Sequence, residues 1–352
     1  MKAQVLLPKV FNFPFTYHSK IKIKIGDIVE VPFGSKHEIG VIWKNIYQEH
    51  KNIKIKEISK KTDYSIDKKL VNFIEWFSIY NMVPIGLVLK MVIGSVDKFV
   101  KKNDHSIKLR ETKSLKYILS KEQESALKFL EKTKNKFEVS VLQGTTGSGK
   151  TLVYFERIKK IIKEKKQALV LLPEIFLTND FKLRFEDFFG FEPSIWHSKI
   201  TPKQKRIIWK GIIGNKIKIL IGARSALLLP FKKLGIIIVD EEHDTSYKQD
   251  DRVIYNARDM AISRAKFEKI PIHLITSIPS IETYNNIENR KYRHTKILKR
   301  FDNYPLPKTK IVNLNLNKIK NKFIASETIE LTKKYLAKGY RSPVSKKSFS
   351  IF

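Results

Sequence analysis

Apolar residues along this chain follow two different rhythms, and the change falls near residue 120. Before it, short β-prone runs alternate with Pro, Gly and Asn: VLLP (5–8), KIKIGDIVEVPFG (22–34) and EIGVIW (38–43). Runs of this length bounded by turn formers predict a small unit rich in strands. One segment there has a helical period instead. In KKLVNFIEWFSIYNM (68–82), Leu70, Phe73, Ile74 and Phe77 fall at i, i+3, i+4 and i+7, which predicts a helix with one apolar face. Residues 98–118 are polar and basic without a period and read as a linker. From Ser120 onward, long apolar runs alternate with helical segments. SKEQESALKFLEK opens with Ser120 and has Gln123 three residues on, the spacing of a capping box. The runs FEVSVLQ (137–143), QALVLLP (167–173), IKILIGA (217–223), LGIIIVD (234–240) and IPIHLIT (270–276) are predominantly apolar. Strands of that kind are buried on both faces, so an α/β fold with a parallel sheet covered by helices is expected. No internal repeat or low-complexity block interrupts the pattern.

Composition narrows the class. The chain has 352 residues, room for about two domains at ~150 residues each. There is no cysteine, which excludes disulfides and zinc–thiolate sites. No apolar run reaches the ~18 residues of a membrane span, and the N-terminus lacks a signal-peptide layout. The expectation is a cytoplasmic protein with no membrane partner. Lys and Arg number 69 against 35 Asp and Glu, a formal charge of +34. Two explanations stand side by side: a polyanionic partner such as DNA or RNA, and a Lys-, Ile- and Asn-heavy composition of the sort an AT-rich genome favours.

The chemistry is concentrated in VLQGTTGSGKT (141–151). An apolar strand runs into G-x-x-x-x-G-K-T, and the amphipathic LVYFERIKKIIKEKK follows. Gly144, Gly147 and Gly149 let the backbone of Thr145, Thr146 and Ser148 turn its N–H groups onto the β- and γ-phosphates of a nucleotide. Lys150 adds a positive charge, Thr151 is suited to Mg²⁺, and the start of the following helix favours the same anion. ATP with Mg²⁺ is the expected cofactor. The second signal is IIIVDEEHD (236–244), a buried strand that ends in carboxylates at the same edge of the sheet. Asp240 would hold Mg²⁺ through water, and Glu241 would orient and activate the attacking water. The plainer reading of this segment, a solvated acidic turn, loses force beside a phosphate loop.

DEEH after GTTGSGKT resembles a superfamily 2 helicase. LVLLPEIFLT (169–178), WHS (196–198), GARSALLLPF (222–231), YKQDDRVIYNARDMAISRA (247–265) and VPFGSKHEIGVI (31–42) narrow the resemblance to the PriA family of replication-restart helicases, from Val5 to about Gly339. The resemblance implies a RecA-like lobe (119–290) behind a domain (1–97) that binds the 3′ end of a nascent strand. Positions matching that pocket are Phe15, Thr16, Tyr17, Gly34 and Lys56, with Thr16 where some relatives have Asp. Aromatics stack on bases and Lys meets phosphate. Without the resemblance, Phe15 and Tyr17 read as core of the small domain. Gln123 is the implied adenine reader, while the capping signature makes it a helix N3 residue, and both roles stand. Arg224, in GARSAL, is an implied DNA contact. Implied partners are forked and single-stranded DNA, single-stranded DNA-binding protein, the replicative helicase and other primosome proteins.

The sequence departs from the family in three places. The segment 98–118 is too short for the winged helix that relatives carry between the two domains. The Ser-Ala-Thr motif reads TSIPSIET, with Ile278 in place of the threonine. Residues 291–352 lead toward a second RecA-like lobe with zinc-binding cysteines, but LTKKYLAKGY runs into RSPVSKKSFSIF, expected to mark a frameshift or early stop, or else a genuine short form. The resulting expectation is an ATP-dependent 3′-to-5′ DNA helicase that binds stalled forks and initiates primosome assembly. The alternative is an ATP- and DNA-binding module without turnover. A P-loop kinase or transporter ATPase leaves DEEH and GARSAL unexplained.

Overall fold

The computed structural model describes residues 1–44, 55–94, 115, 117–132, 136–300, 311 and 325–339. Most of the expected linker (98–118) and the tail 340–352 lie outside these residues. Met1–Asn303 form one compact unit and Tyr304–Phe352 a second. In the second, the described helix is Ser326–Ala337.

Among the described residues the first unit contains two large sheets and a short two-stranded one. The N-terminal one has five antiparallel strands: β1 (Lys2–Leu6), β2 (Phe15–His18), β3 (Asp27–Phe33), β4 (Lys36–Lys44) and β5 (Lys60–Ser65), in the order β2-β1-β4-β3-β5. The apolar run expected from Lys22 becomes a strand only at Asp27. Gly26 turns the chain at φ +91° where a Cβ would lie 2.1 Å from the Ile66 carbonyl oxygen, and the Asp27 carboxylate accepts from Lys24 N at 2.8 Å. Helix α1 (Lys68–Tyr80) forms as its period predicts. Asp67 caps it, and Leu70, Phe73, Ile74 and Phe77 are buried. Helix α2 (Ile85–Ile93, IGLVLKMVI) was not legible in the pattern. Lys90 is its only charged residue, so there is no polar face to give it a period.

The second sheet has seven parallel strands: β6 (Glu138–Gly144), β7 (Gln167–Leu171), β8 (Ser194–Trp196), β9 (Ile219–Gly222), β10 (Leu234–Asp240), β13 (Pro271–Thr276) and β14 (Arg293–Ile297). They run in the order β14-β6-β13-β10-β7-β9-β8, and a two-stranded ribbon, β11 (Lys248–Gln249) with β12 (Tyr255–Asn256), stands apart. The five strands expected from apolar runs are the central five. The two that were missed, β8 and β14, are the edges, where burial is incomplete and the apolar run therefore lapses. Helices α3 (Lys121–Glu131), α4 (Lys150–Lys163), α5 (Asn179–Phe189), α6 (Pro202–Ile213), α7 (Ala257–Glu268) and α8 (Ile281–Glu288) connect them. Both faces are covered. On β10, Ile236 and Ile238 enter the core shared with α3, α4 and α5, while Ile237 and Val239 enter the core on the other face.

That second core also takes in Leu6, Ile28, Val41 and Trp43 of the N-terminal sheet together with α1 and α2. Polar contacts follow the same seam. Trp209 Nε1 donates to the Val92 carbonyl at 2.9 Å, and the Tyr64 and Trp209 rings meet edge to face. The two sheets thus share one continuous apolar interior. Among the described residues, no helix is long and apolar enough to cross a membrane.

Candidate nucleotide site and nucleic-acid pocket

Three strand ends meet at the carboxyl edge of the parallel sheet. β6 runs into the loop Gly144–Gly149, β10 into Asp240–Asp244, and β13, which lies between them, into Thr276–Ser280. In the loop, Gly147 and Gly149 have φ of +83° and +78°, values that favour glycine. At Gly149 a Cβ would also lie 2.2 Å from Gln123 Nε2, so a side chain there would push the Gln123 amide off Ser148 O. Lys150 begins α4 and is buried. Its Nζ donates to the carbonyls of Gly144 at 2.6 Å and Thr145 at 3.3 Å. Burial pushes its pKa down, and Glu241 and Asp240 push it back up. The buried hydroxyls of Thr145 and Ser148 have no hydrogen-bond partner. A helix N-terminus, a buried ammonium and two unpartnered hydroxyls at one loop fit a phosphate anion.

The capping box expected at Ser120 is formed, with Gln123 Oε1 accepting from Ser120 N at 2.9 Å. The same side chain reaches the loop, where Nε2 donates to Ser148 O at 2.9 Å. Gln123 is therefore a cap and a brace for the phosphate loop at once.

The acidic turn is more elaborate than its sequence suggests. Asp240 is buried. It accepts from the Tyr154 hydroxyl at 2.9 Å and from Glu241 N at 3.0 Å. Burial, helped by the neighbouring Glu241, raises its pKa to about 6. The Tyr247 hydroxyl lies 2.6 Å from the Asp240 carbonyl oxygen and 2.9 Å from that of Leu171, tying β10 to β7. Glu241 stands in the left-handed region at φ +48°, an uncommon conformation for a residue with a side chain. Glu242 points the other way, into the protein. It accepts from Ser280 N at 2.8 Å, Thr283 Oγ1 at 2.9 Å, Ser280 Oγ at 3.2 Å and Arg258 Nη1 at 3.3 Å. The residue is 1 % exposed, and its hydrogen bonds supply what a buried carboxylate needs. His243 Nδ1 is 2.8 Å from Thr276 Oγ1 and 3.6 Å from Glu241 Oε2. Ile278 is exposed, and its carbonyl accepts from Thr276 Oγ1 at 2.8 Å. The hydroxyl nearest the acidic turn on this strand is thus Thr276, two residues before the position that lacks one.

The structure brings Lys150, Thr151, Asp240 and Glu241 to one edge, as the motifs predict. The Thr151 hydroxyl reaches Tyr154, which in turn holds Asp240. Sequence reasoning missed Tyr154, Tyr247, Glu242, Arg258, Ser280 and Thr283. The signal available was faint: Ser280 and Thr283 have cap spacing, and a second Glu follows Glu241. Beyond β7 and β9, Leu172, Glu174, Arg224 and Tyr247 help line a cavity of about 170 Å³. There Arg224 Nη1 donates to the Lys248 carbonyl, Ser198 to Glu174 at 3.2 Å, and Trp196 to Ser225 at 3.1 Å. The segments LVLLPEIFLT, WHS, GARSAL and YKQDD, distant in sequence, are neighbours here.

A separate cavity of about 480 Å³ lies in the N-terminal sheet, and Phe15, Thr16, Tyr17, Gly34 and Lys56 all line it. Phe13, Pro32 and Phe33 join them. The Phe15 ring packs against Phe11, Phe13 and Phe33 with centroids 5.0–5.3 Å apart. Tyr17 belongs mainly to the core. It is 4 % exposed, its hydroxyl donates to Pro32 O at 3.2 Å, and burial raises its pKa. Lys56 Nζ donates to Gly34 O at 3.3 Å. The missed signal was the spacing of the aromatics: Phe11, Phe13, Phe15 and Tyr17 occupy every second position, although the chain bends at Asn12 and Phe13 and only Phe15 and Tyr17 share a strand face.

Zinc has no support here: the chain lacks cysteine, and among the described residues no cluster of His, Asp and Glu could hold a metal.

Comparison with known proteins agrees with this geometry. Residues 4–94 match the model of the 3′ DNA-binding domain (3′BD) of PriA, and residues 120–282 match the DEAD/DEAH box helicase model. The replication restart protein PriA of Rickettsia felis is 39% identical over 340 residues, covering 94% of this chain and 51% of that protein. The PriA of Helicobacter pylori 26695 is 34% identical over 282 residues, 79% of this chain and 43% of that protein. In three dimensions the UvsW helicase of bacteriophage T4 aligns with a TM-score of 0.38 at 16% identity, covering 54% of this chain and 64% of that one, a likeness too slight to carry an argument. The chain spans about half the length of the curated relatives it matches. With a RecA-like parallel sheet that carries a phosphate loop and an acidic strand end, behind a β-rich 3′ DNA-binding domain, this chain belongs to the PriA family of replication restart helicases.

Proposed function

We propose that this chain binds ATP with Mg²⁺ at the β6–β10 edge and a DNA 3′ end at the aromatic pocket. In this reading it works as the DNA-binding and ATP-binding portion of a 3′-to-5′ helicase that engages stalled forks and initiates primosome assembly. The observation that carries the reading is the convergence of Lys150, Thr151, Asp240 and Glu241 at one sheet edge, in a unit that also holds a phenylalanine-lined pocket with a lysine at its rim. Mg²⁺, when bound, supplies positive charge at the phosphates. Lys150 would exchange the Gly144 and Thr145 carbonyls for phosphate oxygen. Thr151 and Asp240 would hold the cation, and Glu241 would orient the attacking water. Gln123 keeps one amide hydrogen for an adenine while it braces the loop. Phe15 and its neighbours would stack on a terminal base, and Lys56 would meet phosphate. Arg224 would contact the tracked strand. Single-stranded DNA-binding protein and the replicative helicase are the protein partners this role requires.

Thermal melting tests the nucleotide half. At about a hundredfold excess over the dissociation constant, Mg-ATP should stabilise the wild type by ~2.7 kcal/mol and Lys150→Ala much less. Equal shifts would sink the assignment. For the DNA half, binding of the full chain to forks ending in a 3′ hydroxyl is compared with binding to forks ending in a 3′ phosphate. Equal affinity would remove the 3′-end pocket and leave only general DNA binding. Affinity should fall with salt at a log–log slope of about −0.7 per phosphate contact on single strands.

A further inference from the structure

The geometry points to Arg300 as a second cation for the nucleotide's phosphates, supplied by this lobe itself; the inference rests on the nucleotide site proposed above. Edge strand β14 runs parallel to β6 with Ile297 opposite Gly144, so the chain leaves the sheet beside the first residue of the phosphate loop. The exit is pinned. The backbone N–H groups of Leu298 and Lys299 both donate to Glu122 Oε2 at 3.0 Å. Glu122 is in the first turn of α3, next to Gln123, whose amide holds Ser148 O. One helix start therefore grips the segment after β14 with Glu122 and the phosphate loop with Gln123.

Arg300 follows directly. Its Nε donates to Thr146 O at 3.0 Å. A Cβ built on Gly147 would lie 3.4 Å from Nε and 3.5 Å from Nη2, so the guanidinium lies against the middle of the loop, where a side chain would crowd it. Among the described residues Arg300 makes no other hydrogen bond. In phosphate loops the backbone at these positions faces the β- and γ-phosphates. A guanidinium binds phosphate with two parallel charge-assisted hydrogen bonds, each about twice as strong as a neutral one. The single bond to a neutral carbonyl is the weaker choice once a triphosphate is present. Lys150 and Arg300 would then both reach it, the first from the start of α4 and the second from the segment that follows β14.

Equilibrium binding on the 352-residue protein tests this, using a non-hydrolysable ATP analogue and ADP, each with Mg²⁺. Arg300→Ala should weaken the triphosphate analogue at least about tenfold, the scale of losing hydrogen bonds to a charged group, and ADP by less than about threefold. Arg300→Lys should recover part of the loss. An equal loss for both nucleotides would make Arg300 a loop brace and overturn the proposal, as would no loss at all. If the wild type binds neither nucleotide, or Lys150→Ala binds like the wild type, the nucleotide site itself falls and Arg300 falls with it.

Discussion

The phosphate-loop edge and the aromatic pocket are both assigned ligands that carry phosphate, yet they are made of opposite materials. The edge consists of backbone, buried charge and constrained residues: Lys150 held on carbonyls, Asp240 between Tyr154 and Glu241 N, and Glu241 at φ +48°. The pocket consists of ring surfaces, with Phe13 55 % exposed and Phe15 half-buried among them. A site of fixed charges fails abruptly, because removing one partner strands another in a low-dielectric interior. A site of stacked rings fails gradually, by the area each ring contributes.

The sharpest test of that contrast is Arg258→Ala. Arg258 faces the fully buried Glu242 at 3.3 Å and also reaches Asp259 at 2.8 Å and Glu282 at 3.6 Å. Without the guanidinium, Glu242 keeps only its bonds from Ser280 and Thr283. The expected loss is ~3–5 kcal/mol, the usual result of breaking a buried pair from one side, measured by urea unfolding. Phe13→Ala, at an exposed ring, should change stability by less than ~1 kcal/mol. Comparable losses from the two variants would erase the distinction.

This contrast also explains which features the sequence revealed. GTTGSGKT and DEEH are contiguous, and their chemistry follows from residue type and spacing alone, so Lys150, Asp240 and Glu241 could be named. Glu242 could not be separated from Glu241. Its burial depends on Arg258, Ser280 and Thr283, which only the folded chain brings to it. The central strands were legible because burial on both faces writes a predominantly apolar run. β8 and β14 were not, because edge strands are half-solvated. The pocket lay between: the resemblance pointed to Phe15, Gly34 and Lys56, whereas Phe33 and Phe13 needed the spacing at 11, 13, 15 or the hairpin β3–β4 to reveal them.

Asp240→Asn should separate stability from binding. The folded pKa of Asp240 is about 6, above its usual 3.8. The folded state therefore binds more protons than the unfolded one between about pH 4 and 6. The contribution of this group is fully present below that window and is lost as pH rises through it. At pH 7 the ionised buried carboxylate costs up to ~3 kcal/mol, from about two pK units at 1.36 kcal/mol each. Asn keeps a single acceptor for Tyr154 and Glu241 N, so part of the gain is forfeited. A net stabilisation of ~1–3 kcal/mol is expected in the nucleotide-free protein, with loss of the Mg-ATP shift. A variant that melts lower at pH 7 without nucleotide would show that the carboxylate is well accommodated after all.

On the pocket side, Phe15→Ala and Phe33→Ala should each weaken single-stranded DNA binding by ~1–3 kcal/mol, the scale of one base–aromatic stack, and leave the Mg-ATP melting shift unchanged. Fluorescence anisotropy at fixed salt measures the first and thermal melting the second. A change in both readouts would mean that the shared core transmits the damage, and the two sites could not be treated as separate devices.

The smallest effect is expected at Gly34, with Gly149 as its reference. Gly149 and Gly34 both have positive φ, +78° and +60°, but a Cβ at Gly149 meets Gln123 Nε2 at 2.2 Å, whereas a Cβ at Gly34 meets nothing within 4 Å. Gly149→Ala adds displacement of the Gln123 amide to the left-handed strain and should weaken nucleotide binding as well as stability. Gly34→Ala bears only the left-handed penalty, ~1–2 kcal/mol of stability. Gly34→Asn should cost less than Ala, because Asn tolerates that region. Gly34 lines the cavity, and a methyl group there would clash with no part of the protein. DNA affinity should therefore fall only a few-fold in Gly34→Ala, by about as much as its Lys56 contact shifts. A complete loss of 3′-end binding with stability intact would show that the ligand approaches the Gly34 backbone more closely than a stacked base requires. The pocket would then depend on backbone approach, like the phosphate loop, and the two sites would differ less than their materials suggest.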